Sequence, residues 1–229
     1  MKCAYELDLD IDNLRKELIE LDNNWLDINQ SIKEQAGCYT ARDRKTDKPI
    51  NNGKMYYAPI EFCILMGCKS IIPLIEYFNN SLMTVMRIIT LNEGQYLGWH
   101  IDNDKRPEGY YRSEIPDHII TPIQINILLS EPVNDVTHFA YDMKLTKYNL
   151  CENGPYQVHH HGKYENAGFE IIDNFTIQEK PALYNTGVWH STQPSEKTKR
   201  ILASFTFWPL IPFDNVVEFC RQKGILIER

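Results

Sequence analysis

Residues 123–130 carry the clearest alternation of apolar and polar positions in the chain. Every second position is aliphatic: Ile123, Ile125, Ile127 and Leu129. Gln124 and Asn126 lie between them. Because successive side chains of a strand point to opposite faces, this pattern predicts a strand with one apolar and one polar face. Five other segments rich in β-branched and aromatic residues are also predicted to be strands: residues 83–91, 96–102, 169–177, 182–185 and 200–208.

The first third of the chain has helical spacing instead. A helix is predicted over residues 12–20, with Asp12 as its cap. Its apolar face consists of Leu14, Leu18 and Leu21. A second helix is predicted over residues 70–79 from four apolar residues at helical spacing: Ile71, Leu74, Ile75 and Phe78. Pro73 would lie in its first turn, where a missing backbone donor costs little.

The order of these elements predicts the fold class. Residues 37–54 are polar and contain Asn52-Gly53, so they are predicted to be a loop, and residues 215–223 to be a closing helix. Strands at this spacing, joined by turns and long loops, are typical of a sandwich or jelly roll. We therefore predict a mainly β fold with flanking helices. No linker divides the sequence, which predicts one domain over residues 1–229, with a helical N-terminal part (about 1–80) and a β core (about 83–210).

Composition and charge narrow the class of protein. Hydrophobic residues make up 43% and charged residues 24%, as in soluble globular proteins. The formal net charge is -7 and no long basic run is present, so a nucleic-acid partner is not expected. The apolar runs are too short to span a bilayer, so no membrane partner is expected. No pattern in the sequence indicates an oligomeric state.

The cysteines bear on the cellular compartment. Six are spread along the chain without a CxxC pair: Cys3, Cys38, Cys63, Cys68, Cys151 and Cys220. The first residues, MKCAYELDLDID, lack the apolar core of a secretion signal. A reducing, cytoplasmic environment is therefore expected.

His100 and Asp102 form the central chemical signal, within Gly98-Trp99-His100-Ile101-Asp102. Residues i and i+2 of a strand point to the same side, so this imidazole and carboxylate can occupy adjacent corners of one metal. His190, which follows the predicted strand at 182–185, is the candidate third ligand. Two histidines and one carboxylate on one face leave three positions open, as in non-haem Fe(II) oxygenases.

Arg200 begins the last predicted strand, ten residues after His190. One face of that strand would carry Arg200, Leu202, Ser204 and Thr206, and the other Ile201, Ala203, Phe205 and Phe207. A basic residue and two hydroxyls opposite an apolar face predict a polar pocket backed by core. Arginine is suited to a bidentate grip on a carboxylate, so Arg200 is the candidate for binding an anionic chelator.

The H-x-D motif, a distal histidine and an arginine ten residues later resemble the Fe(II)/2-oxoglutarate-dependent dioxygenase family, over roughly residues 83–208. The resemblance implies a double-stranded β-helix fold (jelly roll, cupin-like). It implies that His100, Asp102 and His190 bind Fe(II). Its co-substrates would be 2-oxoglutarate and dioxygen, with ascorbate as a candidate activator. As 2-oxoglutarate is converted to succinate, a substrate C–H bond would be hydroxylated.

The resemblance also implies how 2-oxoglutarate is held. Arg200 would bind its distal carboxylate, and Asn126 would hydrogen-bond it. Many members of the family have Ser or Thr two positions after the arginine. Here that position is Leu202, and Ser204 is the nearest hydroxyl on the same face.

Several other residues are weaker candidates. His159-His160-His161 is a second histidine cluster, but consecutive residues cannot all point one way along a strand. A solvated or substrate-facing loop over residues 144–166, which could act as a lid, is therefore expected. Arg87 could contact substrate or pair with a surface carboxylate. Three residues of the loop after the H-x-D motif are candidate substrate contacts or solvated side chains: Arg106, Tyr110 and Arg112. His118 and His138 are expected to be structural or exposed.

The sequence leaves three functions open. The first is an oxidoreductase that hydroxylates a small, amino-acid-like molecule or a peptidyl side chain. The second is a nucleobase oxygenase, which the acidic charge disfavours. The third is a non-catalytic, cupin-like metal-binding domain.

Overall fold

A computed structural model describes most of the chain. The described residues are 1–24, 34–36, 41–43, 54–78, 82–93, 95–102, 123–132, 134–142, 149–150, 157–159, 169–193, 199–207 and 211–228. Within these ranges the chain forms two antiparallel sheets and four helices. Strands and helices are numbered here along the chain.

Sheet 1 contains eight strands of the described chain. They are β1 (Ala4–Leu7), β2 (Glu34–Ala36), β4 (Lys54–Pro59), β5 (Leu82–Leu91), β7 (Ile123–Leu128), β12 (Ala182–Asn185), β14 (Arg200–Phe207) and β15 (Leu226–Ile227). Their order across the sheet is β15-β1-β12-β7-β14-β5-β4-β2. Strands β7 and β14 therefore lie at its centre, each hydrogen-bonded on both sides.

Sheet 2 contains the remaining described strands. They are β3 (Ala41–Asp43), β6 (Gln95–Asp102), β8 (Val136–Asp142), β9 (Asn149–Leu150), β10 (Gln157–His159), β11 (Phe169–Thr176) and β13 (Trp189–Gln193). Their order is β11-β8-β13-β6-β10-β9, and β3 also pairs with β6. One edge of β6 is thus covered by two short strands, β3 over its first half and β10 over its second.

The pairing of the long strands is nested along the chain. Strand β5 pairs with β14, β6 with β13, β7 with β12, and β8 with β11. Each of these pairs encloses the next in sequence. Nested antiparallel pairs divided between two packed sheets form a jelly roll, or double-stranded β-helix. The predicted fold class is confirmed.

Four helices pack on the outer face of sheet 1. They are α1 (Asp12–Asn24), α2 (Ile60–Leu65), α3 (Ile71–Tyr77) and α4 (Phe213–Gln222). Leu14 and Leu18 of α1 lie in one core cluster with Ile125 of β7 and Phe205 of β14. Of the helices within the described ranges, none combines the length and hydrophobicity that a membrane-spanning segment requires.

The inner face of sheet 1 packs against sheet 2. Leu128, Tyr184 and Leu202 of sheet 1 form a second core cluster with Phe139 of β8. All six residues of β7 are buried, including its polar ones. The aliphatic face of β7 therefore meets the helices, and its polar face lies between the two sheets. Because buried polar groups need partners, this interior is suited to a polar ligand.

Most predicted elements are confirmed. Helix α1 covers the predicted range and continues to Asn24, but Asp12 lies in its first turn, and the carbonyl of Ile11 accepts the first helical hydrogen bond, so the prediction of Asp12 as the cap is wrong. Pro73 lies in the first turn of α3, and α4 begins at Phe213, slightly before the predicted start. The predicted strands agree with β5, β6, β7, β11, β12 and β14.

Two expectations for the first third of the chain need correction. The loop prediction for residues 37–54 is wrong at Ala41–Asp43, which form β3. Its partner β6 offers unpaired backbone groups at its edge, and that opportunity is invisible in the local sequence. The N-terminal part is also less helical than expected, since β1 and β4 join sheet 1. Helix α2 was not predicted, and Lys54 begins β4.

Replacing Leu18 by Ala tests the packing of α1 on sheet 1. Leu18 is fully buried, so the cavity should lower the free energy of unfolding by about 2–5 kcal/mol. Urea denaturation followed by circular dichroism measures this change. Lys16→Ala, at an exposed position of the same helix, is the matched control and should change stability by less than about 0.5 kcal/mol. Equal effects of the two substitutions would contradict the packing.

The described cysteines should resist alkylation in the folded protein. Cys3, Cys63, Cys68 and Cys220 are buried free thiols. Burial raises the pKa of Cys3, Cys63 and Cys220 to about 12 and that of Cys68 to about 11. Since the thiolate is the nucleophile, these thiols should stay protonated and unreactive at pH values near 8. Iodoacetamide labelling mapped by mass spectrometry should modify them only in denaturant, and rapid labelling of the native protein would refute this.

Candidate active site

His190 and His100 occupy directly opposed positions on the neighbouring strands β13 and β6. Opposed positions of an antiparallel pair share one face of the sheet, with Cβ atoms about 5 Å apart. Asp102 follows two residues after His100 on β6, so its position lies on that face as well. The backbone register therefore places the three predicted ligand positions close together.

The side chains of His100 and Asp102 lie outside the described part of the structure. Among the described side chains, no three His, Cys, Asp or Glu residues form a group that could hold a metal. Coordination of one iron by His100, Asp102 and His190 therefore stays a prediction, supported by register and by the geometry of His190.

Strand β6 carries one extra residue beside these positions. His190 is opposite His100, whereas Thr192, two residues further on, is opposite Leu97, three residues back. Gly98 and Trp99 thus lie at a β-bulge. Bulges bend a strand locally and are frequent beside active sites, where they re-aim side chains. The irregularity favours a functional role for this end of β6.

The ring of His190 is held in one orientation. It is 5% exposed, and its centroid lies 6.0 Å from that of Phe139, which is opposite it on β8. Its Nδ1 lies 2.9 Å from the carbonyl oxygen of Val188. A carbonyl only accepts, so Nδ1 carries the proton and Nε2 carries the lone pair. Metal-binding histidines commonly use a backbone carbonyl in this way, so His190 is set up for coordination through Nε2.

Arg200 is buried beside a carboxylate. It is 2% exposed, and its Nε lies 3.6 Å from Oδ2 of Asp135, which immediately precedes β8 and is 1% exposed. The pair links sheet 1 to sheet 2 across the interior. This distance is too long for a hydrogen bond, and within the described part of the chain Nε has no hydrogen-bond partner. Because an unsatisfied buried donor is costly, the position suits an anionic ligand.

Among the described residues, Oδ1 of buried Asn126 has no hydrogen-bond partner, and Oη of buried Tyr184 has only an interaction with the Thr137 side chain that does not reach hydrogen-bond geometry. The Tyr184 ring packs edge-on against Phe139, with centroids 5.6 Å apart. Burial raises the pKa of Tyr184, and the positive charge of Arg200 opposes that rise, so the phenol lies near the guanidinium. Native proteins leave few buried polar atoms unsatisfied. Their grouping on the inner face indicates a ligand site.

Ser204 and Asn126 occupy opposed positions on β14 and β7. The Ser204 hydroxyl donates to Oε1 of Gln124 at 2.6 Å, so its proton is already engaged. Ser204 is four residues beyond Arg200, a distance of about 13 Å along the strand. The two residues would therefore contact different parts of a ligand. The predicted contacts of Ser204 and Asn126 with 2-oxoglutarate stay predictions.

Sequence reasoning missed Asp135 and Tyr184. Asp135 belongs to no motif and follows a turn, where acidic residues are usually solvated. Tyr184 follows Ala182 and Leu183 in a short strand, and its hydroxyl was the only signal available. Both residues become candidates only when sheets 1 and 2 are packed together.

The second histidine cluster lies partly in sheet 2. The loop prediction for residues 144–166 is wrong at Asn149–Leu150 and Gln157–His159, which form β9 and β10 on the edge of β6. As with β3, the edge of β6 has unpaired backbone groups that another strand can pair with. His159 is opposite His100, on the side of β6 away from His190. His160 and His161, and the rest of the predicted lid, lie outside the described residues.

Of the remaining candidate residues, His138 and Arg87 lie on described strands. His138 is half-buried on the face of β8 opposite to Phe139 and contacts Asn174, in agreement with a structural role. Arg87 is opposite Ser204 in the register of β5 and β14, but its side chain is not described. Four residues lie outside the described residues: Arg106, Tyr110, Arg112 and His118.

No protein-family model and no curated protein sequence matches the chain. Solved structures of similar shape include a prolyl-4-hydroxylase from Pseudomonas putida, with a TM-score of 0.41, 9% identity, and coverage of 89% of this chain and 90% of that one. The epimerase SnoN, in complex with Fe3+, alpha ketoglutarate and nogalamycin RO, has a TM-score of 0.47 and 12% identity. The match covers 89% of this chain and 77% of that one.

Vicilin from Capsicum annuum is also similar, with a TM-score of 0.34, 6% identity, and coverage of 68% of this chain and 28% of that one. Two further neighbours were solved with 2-oxoglutarate bound. At these identities the likeness concerns overall shape alone.

Replacing His190 by Ala should weaken metal binding. Loss of an outer-shell partner of a metal ligand already costs about 10- to 100-fold in affinity, so loss of the coordinating nitrogen itself should raise the Kd for Fe(II) at least about 100-fold, as measured by anaerobic isothermal titration calorimetry. His138→Ala is the matched control, since it lies on the neighbouring strand but on the other face of sheet 2. That variant should bind Fe(II) like the wild type. Unchanged Fe(II) affinity in His190→Ala would rule out the proposed centre.

Proposed function

We propose that this chain is an Fe(II)- and 2-oxoglutarate-dependent oxygenase. His100, Asp102 and His190 would hold the iron, and Arg200 would bind the distal carboxylate of 2-oxoglutarate. The observation that carries the proposal is the buried guanidinium of Arg200, whose Nε is unsatisfied among the described residues and which lies in the interior that His190 faces. An anion site in the same interior as a candidate metal ligand is what a chelating co-substrate requires.

The separation between His190, the candidate metal ligand, and Arg200, the candidate anion-binding residue, supports a short dicarboxylate as the ligand. His190 and Phe139 form one row across β13 and β8, and Thr192 and Thr137 form the next. Successive rows on one face are about 6.6 Å apart. Asp135, which contacts Arg200, lies one row beyond Thr137. A five-carbon chelator together with the long side chain of Arg200 can bridge the distance between the row of His190 and Asp135.

The residues of this chain have separate tasks in the proposed reaction. Iron and 2-oxoglutarate, when bound, would supply the oxidising chemistry, in which dioxygen is consumed, 2-oxoglutarate yields succinate and carbon dioxide, and a substrate C–H becomes C–OH. The Val188 carbonyl keeps His190 in the tautomer that presents Nε2. Arg200 orients the co-substrate through its distal carboxylate. Phe139 and Leu202 exclude water, which strengthens the attraction between guanidinium and carboxylate.

The proposed substrate is a small, amino-acid-like molecule or a peptidyl side chain. The net charge of -7 disfavours a nucleic-acid substrate. A screen of amino acids and short peptides for stimulated succinate formation would identify the class. A protein that binds Fe(II) but releases no succinate with any of them would instead support the non-catalytic metal-binding alternative.

Replacing Arg200 by Lys should weaken co-substrate binding and leave the positive charge in place. Lysine cannot make the bidentate contact, so the KM for 2-oxoglutarate should rise by about 10- to 100-fold, with a smaller change in kcat. Succinate formation with Fe(II), ascorbate and dioxygen measures both constants. Arg221→Ala, which removes an exposed arginine paired with Glu218 and Glu228, is the control and should leave KM unchanged. An unaltered KM in Arg200→Lys would exclude this role.

A further inference from the structure

We infer that Asp135 is an internal counter-ion that occupies Arg200 in the empty protein and competes with the co-substrate for the guanidinium. This inference rests on the proposed role of Arg200 in binding 2-oxoglutarate. Asp135 belongs to no sequence motif, and its proposed role is to determine how selectively the site binds anions.

The ion pair is shielded from water on both sides. The side chain of Arg200 is 3% exposed and that of Asp135 is 0% exposed. Asp135 comes from the entrance to β8 in sheet 2 and Arg200 from the start of β14 in sheet 1, so the contact forms only when the sheets pack. An unpaired buried guanidinium is strongly destabilising. Asp135 therefore provides the charge balance that lets Arg200 stay buried before any ligand binds.

The geometry of the pair leaves Arg200 incompletely satisfied. At 3.6 Å the contact is electrostatic, without a hydrogen bond from Nε. A ligand carboxylate at normal hydrogen-bond distance can therefore bind the same guanidinium more strongly than Asp135 does. When it binds, two carboxylates face one arginine in a poorly hydrated interior, and their mutual repulsion opposes binding.

This opposition gives the site a means of selection. A simple monoanion gains only one contact, with an arginine that is already neutralised. A dicarboxylate whose other end chelates the metal gains a second anchor, which offsets the repulsion. Asp135 thus acts against adventitious anions and favours ligands held at both ends. It is a positioning and selectivity residue rather than a catalytic one.

The counter-ion role can be tested without any co-substrate by a double-mutant cycle on protein stability. Asp135→Asn and Arg200→Met should each lower the urea midpoint, because each removes one half of a buried ion pair and leaves the other half in place. The combined variant should lose clearly less than the sum of the two losses, since it contains neither charge. If Asp135→Asn alone does not fold, folding of the combined variant shows the same coupling. Additive losses would overturn the counter-ion assignment.

The competition is tested by co-substrate affinity, measured by anaerobic calorimetry with Fe(II) present. Asp135→Asn should lower the Kd for 2-oxoglutarate by about tenfold, and Asp135→Glu, which keeps the charge, should not. For 2-oxopentanoate, which lacks the distal carboxylate, the Kd should be the same in wild type and Asp135→Asn. Asp173→Asn is the matched control: it weakens the contact of this carboxylate with the Cys3 amide and should leave both affinities unchanged.

The possible failures are distinguishable. If neither the wild type nor Asp135→Asn binds 2-oxoglutarate, the proposed function is overturned, and the competition with it. If both bind it with equal Kd, or if Asp135→Asn binds it more weakly, only the competition is overturned. If Asp135→Asn lowers the Kd for 2-oxopentanoate as much as the Kd for 2-oxoglutarate, the substitution has a general structural effect, and the competition is overturned.

Discussion

Burial of sheet 1 on both faces is the constraint from which the candidate site follows. Helices cover its outer face and sheet 2 covers its inner face, so polar side chains on the inner face of β7 and β14 cannot rely on water. Some of them satisfy one another, as Ser204 and Gln124 do. Nε of Arg200 has no such partner within the described part of the chain. This contrast separates polar pairs that complete the fold from a group that is suited to bind a ligand.

Much of the fold could be predicted because its signals are local. The alternation from Ile123 onward marks a strand whatever the rest of the chain does, and the spacing of Leu14, Leu18 and Leu21 marks a helix in the same way. The interpretation of the alternation was incomplete, however. Polar residues of a strand usually face solvent, whereas Gln124 and Asn126 face a second sheet. Only tertiary packing reveals that difference.

The elements that escaped prediction are those created by tertiary pairing. Residues 41–43 and 157–159 have little strand propensity of their own and become strands because β6 has an edge to cover. The ion pair of Asp135 with Arg200 joins residues from two sheets, and no spacing rule relates them. The candidate metal ligands were easier to identify, because His100 and Asp102 form a compact motif and the arginine follows His190 at a characteristic interval.

The nested order of strand pairs has a consequence for how the protein is made. The innermost pair, β8 with β11, encloses the shortest stretch of chain, whereas β6 with β13 and β5 with β14 enclose successively longer ones. Closing long loops costs entropy, and folds dominated by such distant contacts form slowly. The two strands that carry the candidate metal ligands belong to the late group. On a ribosome the edge of β6 that pairs with β13 would stay exposed and prone to aggregation until β13 has been synthesised, so metal binding would stabilise the fold only at the end of its assembly.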